Sequence, residues 1–270
     1  MLHNYFPIYF ARGLCILFLC AAHSAMAFVN GNPAQPSLIC QSIVRDENKN
    51  FSIRLGFLDD FVYGQHFRGE FNFEDAIEKP PVAKMSTEAG VLTLNIHKRL
   101  DLYGIFGSSR LQMDQEIFGR RQFAWGIGTK AIIYQEDCFR VGCDFKYFTT
   151  TQDPLYLVSS GIPLDVVSDL DLNYREYQAA VGLAYQSGLF CPYLMGTYLN
   201  AKIDPNMHRF LVKVPGLDEL IDPSIRTFLG ANSWGMAVGA TLVMGNKGIL
   251  SVESRFFNQN GTDACLEIRF

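Results

Sequence analysis

Apolar and polar residues alternate along ten stretches of this chain: 51–64, 88–97, 100–109, 122–134, 138–148, 173–186, 189–200, 234–244, 248–257 and 262–270. Period-two alternation places successive side chains on opposite faces of a strand. Each stretch is long enough for a tilted strand to cross a bilayer, which takes about 9–11 residues. In the last stretch Ala264, Leu266, Ile268 and Phe270 share one face, and Cys265, Glu267 and Arg269 share the other. A chain that stops inside its own strand suits a closed sheet, where the final strand pairs with the first. Leu266, Ile268 and Phe270 are therefore expected to carry an assembly signal, with the barrel-assembly machinery as a partner.

The connections sort by length. Long or medium links at 65–87, 110–121, 150–172 and 201–233 alternate with tight turns near Lys98, Gln135–Asp137, Ser187–Gly188 and Gly245–Lys247; among the outer links only 258–261 is short. Outer-membrane barrels keep short turns in the periplasm and longer loops outside. The pattern predicts an all-β fold, an antiparallel up-and-down transmembrane β-barrel of about ten strands with both termini on the short-turn side. Twelve strands is the alternative, if 208–214 adds one. Residues 215–228 read as a broken amphipathic turn or short helix, interrupted at Pro223.

In such a barrel the apolar face meets lipid and the polar face lines the lumen. Phe139, Val141, Cys143, Phe145 and Tyr147 oppose Arg140, Gly142, Asp144 and Lys146, while Trp234, Met236 and Val238 oppose Gly235, Ala237 and Gly239. The charges expected inside are Arg54, Arg140, Asp144, Lys146, Glu176, Glu253, Arg255, Glu267 and Arg269. Two readings follow: a lining that selects solutes, or mutual salt bridges that fill a narrow interior. Ten strands favour the second, because an open aqueous channel comes with roughly 16–18. The small residues Gly235, Ala237 and Gly239 are expected to leave some room. Glu253, Arg255, Glu267 and Arg269 are expected to form one cluster.

At the amino-terminus, Leu14–Ala22 is a short apolar run after Arg12, followed by Ala25, Met26 and Ala27 in the A-x-A form of a signal-peptidase site. Residues 1–27 read as a signal peptide, 28–50 as a periplasmic segment and 51–270 as the barrel. A lipoprotein acylated at Cys20 is the alternative, disfavoured by Leu19 where a small residue belongs. No stretch reaches the length of a spanning helix, so a membrane location means a barrel. The net charge of -4 over 270 residues leaves no basic footprint for nucleic acid. Twenty-two Phe, twelve Tyr and twenty-three Gly suit a barrel with aromatic girdles.

Gly31-Asn-Pro-Ala-Gln-Pro-Ser37, Arg54-Leu-Gly-Phe-Leu-Asp-Asp-Phe-Val-Tyr63, Glu176-Tyr-Gln-Ala-Ala-Val-Gly-Leu-Ala-Tyr185, Phe190-Cys-Pro-Tyr193 and Ser251-Val-Glu-Ser-Arg255 occur in that order before Phe270. Together they resemble the chlamydial major outer membrane porins, over about half of the chain beyond the signal. The resemblance implies a bacterial outer-membrane location, a general diffusion pore, and disulfide cross-linking that stiffens the envelope. Those porins are longer and have more strands, which bears on pore width and leaves barrel and location untouched.

Without Cys15 and Cys20, five cysteines remain: Cys40, Cys138, Cys143, Cys191 and Cys265. An odd number in an exported chain leaves at least one free or joined to another molecule. Cys40, Cys138 and Cys191 fall toward the periplasmic rim and are the disulfide candidates, with other envelope proteins as possible partners. Cys143 is expected against lipid and Cys265 in the lumen. No C-x2-C spacing suggests zinc, and no cofactor or metal is expected. An outer-membrane protease using Asp59, Asp60, His66 or His208 is the enzymatic alternative, and display through the outer loops is another. With no nucleophile elbow, H-E-x-x-H or P-loop, a non-enzyme is favoured.

Overall fold

A computed structural model describes residues 31–38 and 51–270, apart from 70, 73–80, 114–116, 160–161, 168, 214–219, 222–223 and 246. The expected signal peptide with its Ala27 site and Cys40 lie outside the described residues. Ten antiparallel strands form the wall: β1 (Phe51–Arg68), β2 (Val82–Ile96), β3 (Leu100–Met113), β4 (Gln122–Glu136), β5 (Phe139–Gln152), β6 (Leu172–Tyr185), β7 (Phe190–Pro205), β8 (Trp234–Met244), β9 (Gly248–Phe256) and β10 (Asn260–Arg269). Each pairs with its sequence neighbours, and β1 pairs with β2 on one side and β10 on the other. Leu55 faces Ile268 and Phe57 faces Leu266 across that seam. The Phe270 N–H donates to the Ile53 carbonyl at 2.9 Å, so the last residue still belongs to the sheet.

The tight turns share one end with the termini. Between β2 and β3, His97 and Lys98 hold φ of 50° and 58°, and the Arg99 N–H closes on the Ile96 carbonyl at 3.1 Å. Two successive left-handed residues match the right-handed twist of the flanking strands. At the far end, β1, β2, β3, β5 and β7 run several residues further than the alternating stretches suggest.

Those extensions reverse their polarity. On β7, Leu194 and Tyr198 point outward; farther out Leu199, Ala201 and Ile203 turn inward, and Asn200, Lys202 and Asp204 take the outer face. The same exchange puts Met85, Leu111, Phe148 and Tyr174 inside. It marks where lipid gives way to water, because the preferred surroundings of apolar side chains switch from outside to inside the wall.

Twelve barrel strands do not form. Val212–Lys213 pairs with Asp165–Val166 and with Leu220–Ile221 in the loop region. The helix or turn expected over 215–228 is replaced, in its described part, by short extended pieces. Ser224–Ile225 pairs with Phe71–Asn72, and Phe228–Gly230 bridges β1 and β7 above the shorter β8–β10. Leu164, Leu170, Phe210, Val212, Ile225 and Phe228 from these loops pack with the inward apolar residues of the extensions. The outer end thus holds a core like that of a soluble protein.

This topology predicts that an epitope inserted at Val167 is labelled on intact cells, whereas one at Ser187 is reached only after the outer membrane is opened. Equal labelling at both sites would overturn the assignment of sides.

Candidate functional site in the barrel interior

Arg54, Arg140, Asp144, Lys146, Glu176, Glu253, Arg255, Glu267 and Arg269 are all buried on the inner face. Asp101, Lys130 and Asp263, which alternation had not singled out, join them, as does Asp60, expected only as a rim carboxylate of the protease alternative. Among the described residues the interior therefore holds six cations and seven carboxylates, close to neutrality. The parity of the alternation could have found all four additions. Asp101 lies between the outward Leu100 and Leu102, and Lys130 between Thr129 and Ala131.

The charges sit at different heights. Nearest the short turns, Arg54 reaches Asp101, and its Nε donates to Glu267 Oε2 at 2.7 Å. Asn95 Nδ2 donates to the second Asp101 oxygen at 2.6 Å. Lys130 lies 5.1 Å from the centre of the Tyr103 ring, whose hydroxyl donates to Asp144 at 2.8 Å. Farther in, Arg255 stands among three carboxylates: Asp60 at 3.3 Å, Glu253 at 3.5 Å and Asp263 at 3.7 Å. Lys146 pairs with Glu176 at 3.4 Å, and Tyr174 donates to the same carboxylate at 2.5 Å. Arg140 Nε and Nη1 are buried without a hydrogen-bond partner among the described residues.

The four-residue cluster expected from β9 and β10 is divided. Antiparallel register sets Glu253 opposite Asp263 and Ile249 opposite Glu267. Glu267 therefore stands four residues, about 13 Å at the usual strand rise, from the Arg255 group, and it binds Arg54 instead. The room expected beside the small residues is also taken. A Cβ on Gly239 would lie 2.3 Å from the Tyr193 hydroxyl oxygen, and one on Gly235 would lie 2.1 Å from Asn258 Oδ1. Tyr193 uses the space to donate to Glu253 at 2.9 Å. Gly128 makes the same notch for Tyr103. Small residues here let tyrosines lie over the neighbouring strand and satisfy buried carboxylates on the next one.

The segment assigned to the periplasm enters the lumen in its described part. Residues 31–38 are held among β2, β4, β7, β8 and β10, so 28–50 is not wholly periplasmic. The Asn32 side chain accepts from the Ala34 N–H at 2.8 Å, starting an Asn-Pro turn into α1 (Gln35–Leu38). Gln35 donates to Glu267 and accepts from Lys130, each at 2.5 Å.

The cysteines divide differently from the expectation. Cys138 lies exposed at the β4–β5 turn. Cys191 is fully buried, with Asn32 Nδ2 at 3.3 Å from its sulfur, so it is withdrawn from the rim. Inward parity at the second residue of β7 is the reason. Cys143 is half-buried on the outer face and Cys265 is buried inside. Leu266, Ile268 and Phe270 face outward.

A hydrolytic constellation is absent from β1, because Asp60 points inward while Asp59 and the exposed His66 take the other face. His208 lies at 3.3 Å from the Ile225 carbonyl in the outer loops.

The major outer membrane porin of Chlamydia trachomatis serovar B is 21% identical over 381 aligned residues, covering 93% of this chain and 97% of the porin. The chain is similar to chlamydial major outer membrane porins along nearly its whole length. The serovar F porin is 22% identical over the same shares. The alignments are longer than this chain, so those porins carry internal segments that it lacks. No family model matches. Among solved structures, the outer membrane protease OmpT of Escherichia coli aligns at 10% identity and TM-score 0.41 over 82% of this chain and 96% of its own. The translocator domain of NalP from Neisseria meningitidis aligns at 11% and 0.44, over 83% and 90%. Porin likeness and a ten-stranded barrel place the chain in the bacterial outer membrane as a multi-pass barrel.

Arg255→Leu strands three buried carboxylates, and leaving buried charges uncompensated costs about 3–5 kcal/mol. Its heat-modifiable band on gels should be lost at a clearly lower temperature than in the parent. Gly128→Val, which drives Tyr103 off Asp144, should cost about 1–3 kcal/mol by overpacking. Parental melting of both variants would show that the network does not hold the barrel.

Proposed function

We propose that the protein is a porin-type barrel held shut in its resting state, which supports the envelope mechanically and displays its β-structured outer loops. The observation that carries this reading is the filled lumen. The thirteen interior charges of the described residues nearly balance, with Arg54, Lys146 and Arg255 directly paired, and the outer extensions close over an apolar core. A general diffusion pore needs a continuous wet path, and ten strands fall well short of the roughly 16–18 that leave an open aqueous channel. The buried polar atoms without partners along Asp60, Asp144, Gln178 and Arg140 are suited to a few trapped waters.

Envelope support would run through intermolecular disulfides. Cys138 is exposed on the turn side, and Cys40 completes the pair of candidates once Cys191 is withdrawn. A thiolate must be accessible to attack a partner disulfide, a condition that Cys138 meets and Cys191 does not.

The purified chain in planar bilayers should be silent or show rare, brief openings. Steady unitary steps would overturn the closed reading. Non-reducing gels of envelopes should show reducible high-mass species that weaken in Cys138→Ser or Cys40→Ser and persist in Cys191→Ser. A solely monomeric band without reductant would remove the cross-linking role.

A further inference from the structure

The mouth of the lumen on the terminus side is occupied by the chain itself. Asn32 Nδ2 donates to Thr241 Oγ1 at 3.0 Å and lies 3.3 Å from Cys191 Sγ. Gln35 bridges Glu267 and Lys130, and the Pro36 carbonyl accepts from Asn95 Nδ2 at 3.1 Å. Asn32, Pro33, Ala34, Gln35, Pro36 and Leu38 are all buried. The wall is cut to receive them: a Cβ on Gly142 would stand 2.3 Å from the Pro33 carbonyl oxygen, and the three atoms nearest that position all belong to Pro33.

From this fit we infer that residues 32–38 are a removable internal plug, and that they, not the barrel wall, close the lumen on the terminus side. The attachment is of a kind that water can replace. Residues 32–38 add no strand to the wall, and the bonds of Asn32, Gln35 and Pro36 to Thr241, Glu267, Lys130 and Asn95 run through side chains and one carbonyl. The segment carries no charge, whereas Lys130 and Glu267, which it caps, gain hydration once it leaves. Twelve residues, 39–50, separate it from β1, a tether that can span about 40 Å when extended. Departure would turn this half of the lumen into an aqueous vestibule lined by Lys130, Arg140 and Glu267, with Cys191 on its wall.

The claim goes beyond the closed-barrel reading, because the outer apolar core can keep the lumen shut after the plug has gone. Labelling and conductance are therefore read separately. Cys191 serves as the native reporter and the exposed Cys138 as the control. The folded full chain in detergent is treated with a small charged thiol reagent, and modification at each cysteine is read by peptide mass spectrometry. Cys191 should label slowly in the parent and roughly tenfold or more faster in the chain lacking residues 32–38, as expected when a local closed state is removed. If that deletion does not assemble, two variants keep the test: Asn32→Ala with Gln35→Ala, which cuts the anchors, and Gly142→Ala, which displaces Pro33 from the wall side. Cys191 labelling as fast as Cys138 in the parent would show that the plug is not resident. Unchanged protection in assembled variants would show that something else covers Cys191. Either result overturns the inference. Steady conductance of the parent with Cys191 still protected would sink the closed-barrel reading alone.

Discussion

Hydrocarbon offers the backbone no hydrogen-bonding partner, so a sheet that crosses it must have no edge. In this chain that demand is met at the β1–β10 seam, where the paired register from Arg54–Arg269 to Gly64–Asn260 turns a row of hairpins into a ring. Closing the ring with ten strands fixes the diameter, and the diameter fixes much of what happens inside. A space that narrow is spanned by side chains, and side chains drawn from alternate positions of amphipathic strands are polar. The polar residues must then neutralise and hydrogen-bond one another, because no bulk water reaches them to do it.

The interior shows how that is arranged. Arg54 is shared by Asp101 and Glu267, and Arg255 by Asp60, Glu253 and Asp263. Asp60 faces Asp263 across the seam, a like-charge contact that Arg255 makes tolerable. Tyrosines reach over glycine notches to give carboxylates a further donor, so the glycines in these strands serve side-chain packing along the inner wall. The porins to which the chain is similar carry internal segments that it lacks. In this chain the interior is tied strand to strand by the ion pairs of Arg54 and Arg255.

The outer third obeys a different rule. Beyond the aromatic pair Tyr198 and Trp234, whose rings meet edge to face at 5.2 Å, apolar residues move to the inward positions of the strands and enclose a core under the loops. One protein thus contains two solvents' worth of logic, with lipid-facing Leu194 and core-facing Leu199 five residues apart on the same strand. Phe228–Gly230 completes the wall where β8–β10 stop, which keeps the extended edges of β1 and β7 paired in water as well.

Period-two alternation by itself determined the ten principal strands and their inward faces, because a strand has two faces and a bilayer gives each a fixed polarity; that 208–214 adds no wall strand was decided by its pairing in the loop region. Alternation fixed Arg54, Lys146 and Arg255 as interior residues for the same reason. What alternation cannot carry is height and partner. Whether Glu267 meets Arg255 or Arg54 depends on the register between strands, which only the assembled ring sets. The face exchange lay hidden because a reader of alternation needs to know where the membrane ends, and that boundary is a property of the folded wall. Asn32, Gln35 and Cys191 were equally illegible: a neutral turn-forming segment and a lone thiol have no periodicity, and their meeting in the lumen is decided by tertiary contacts between residues 159 positions apart.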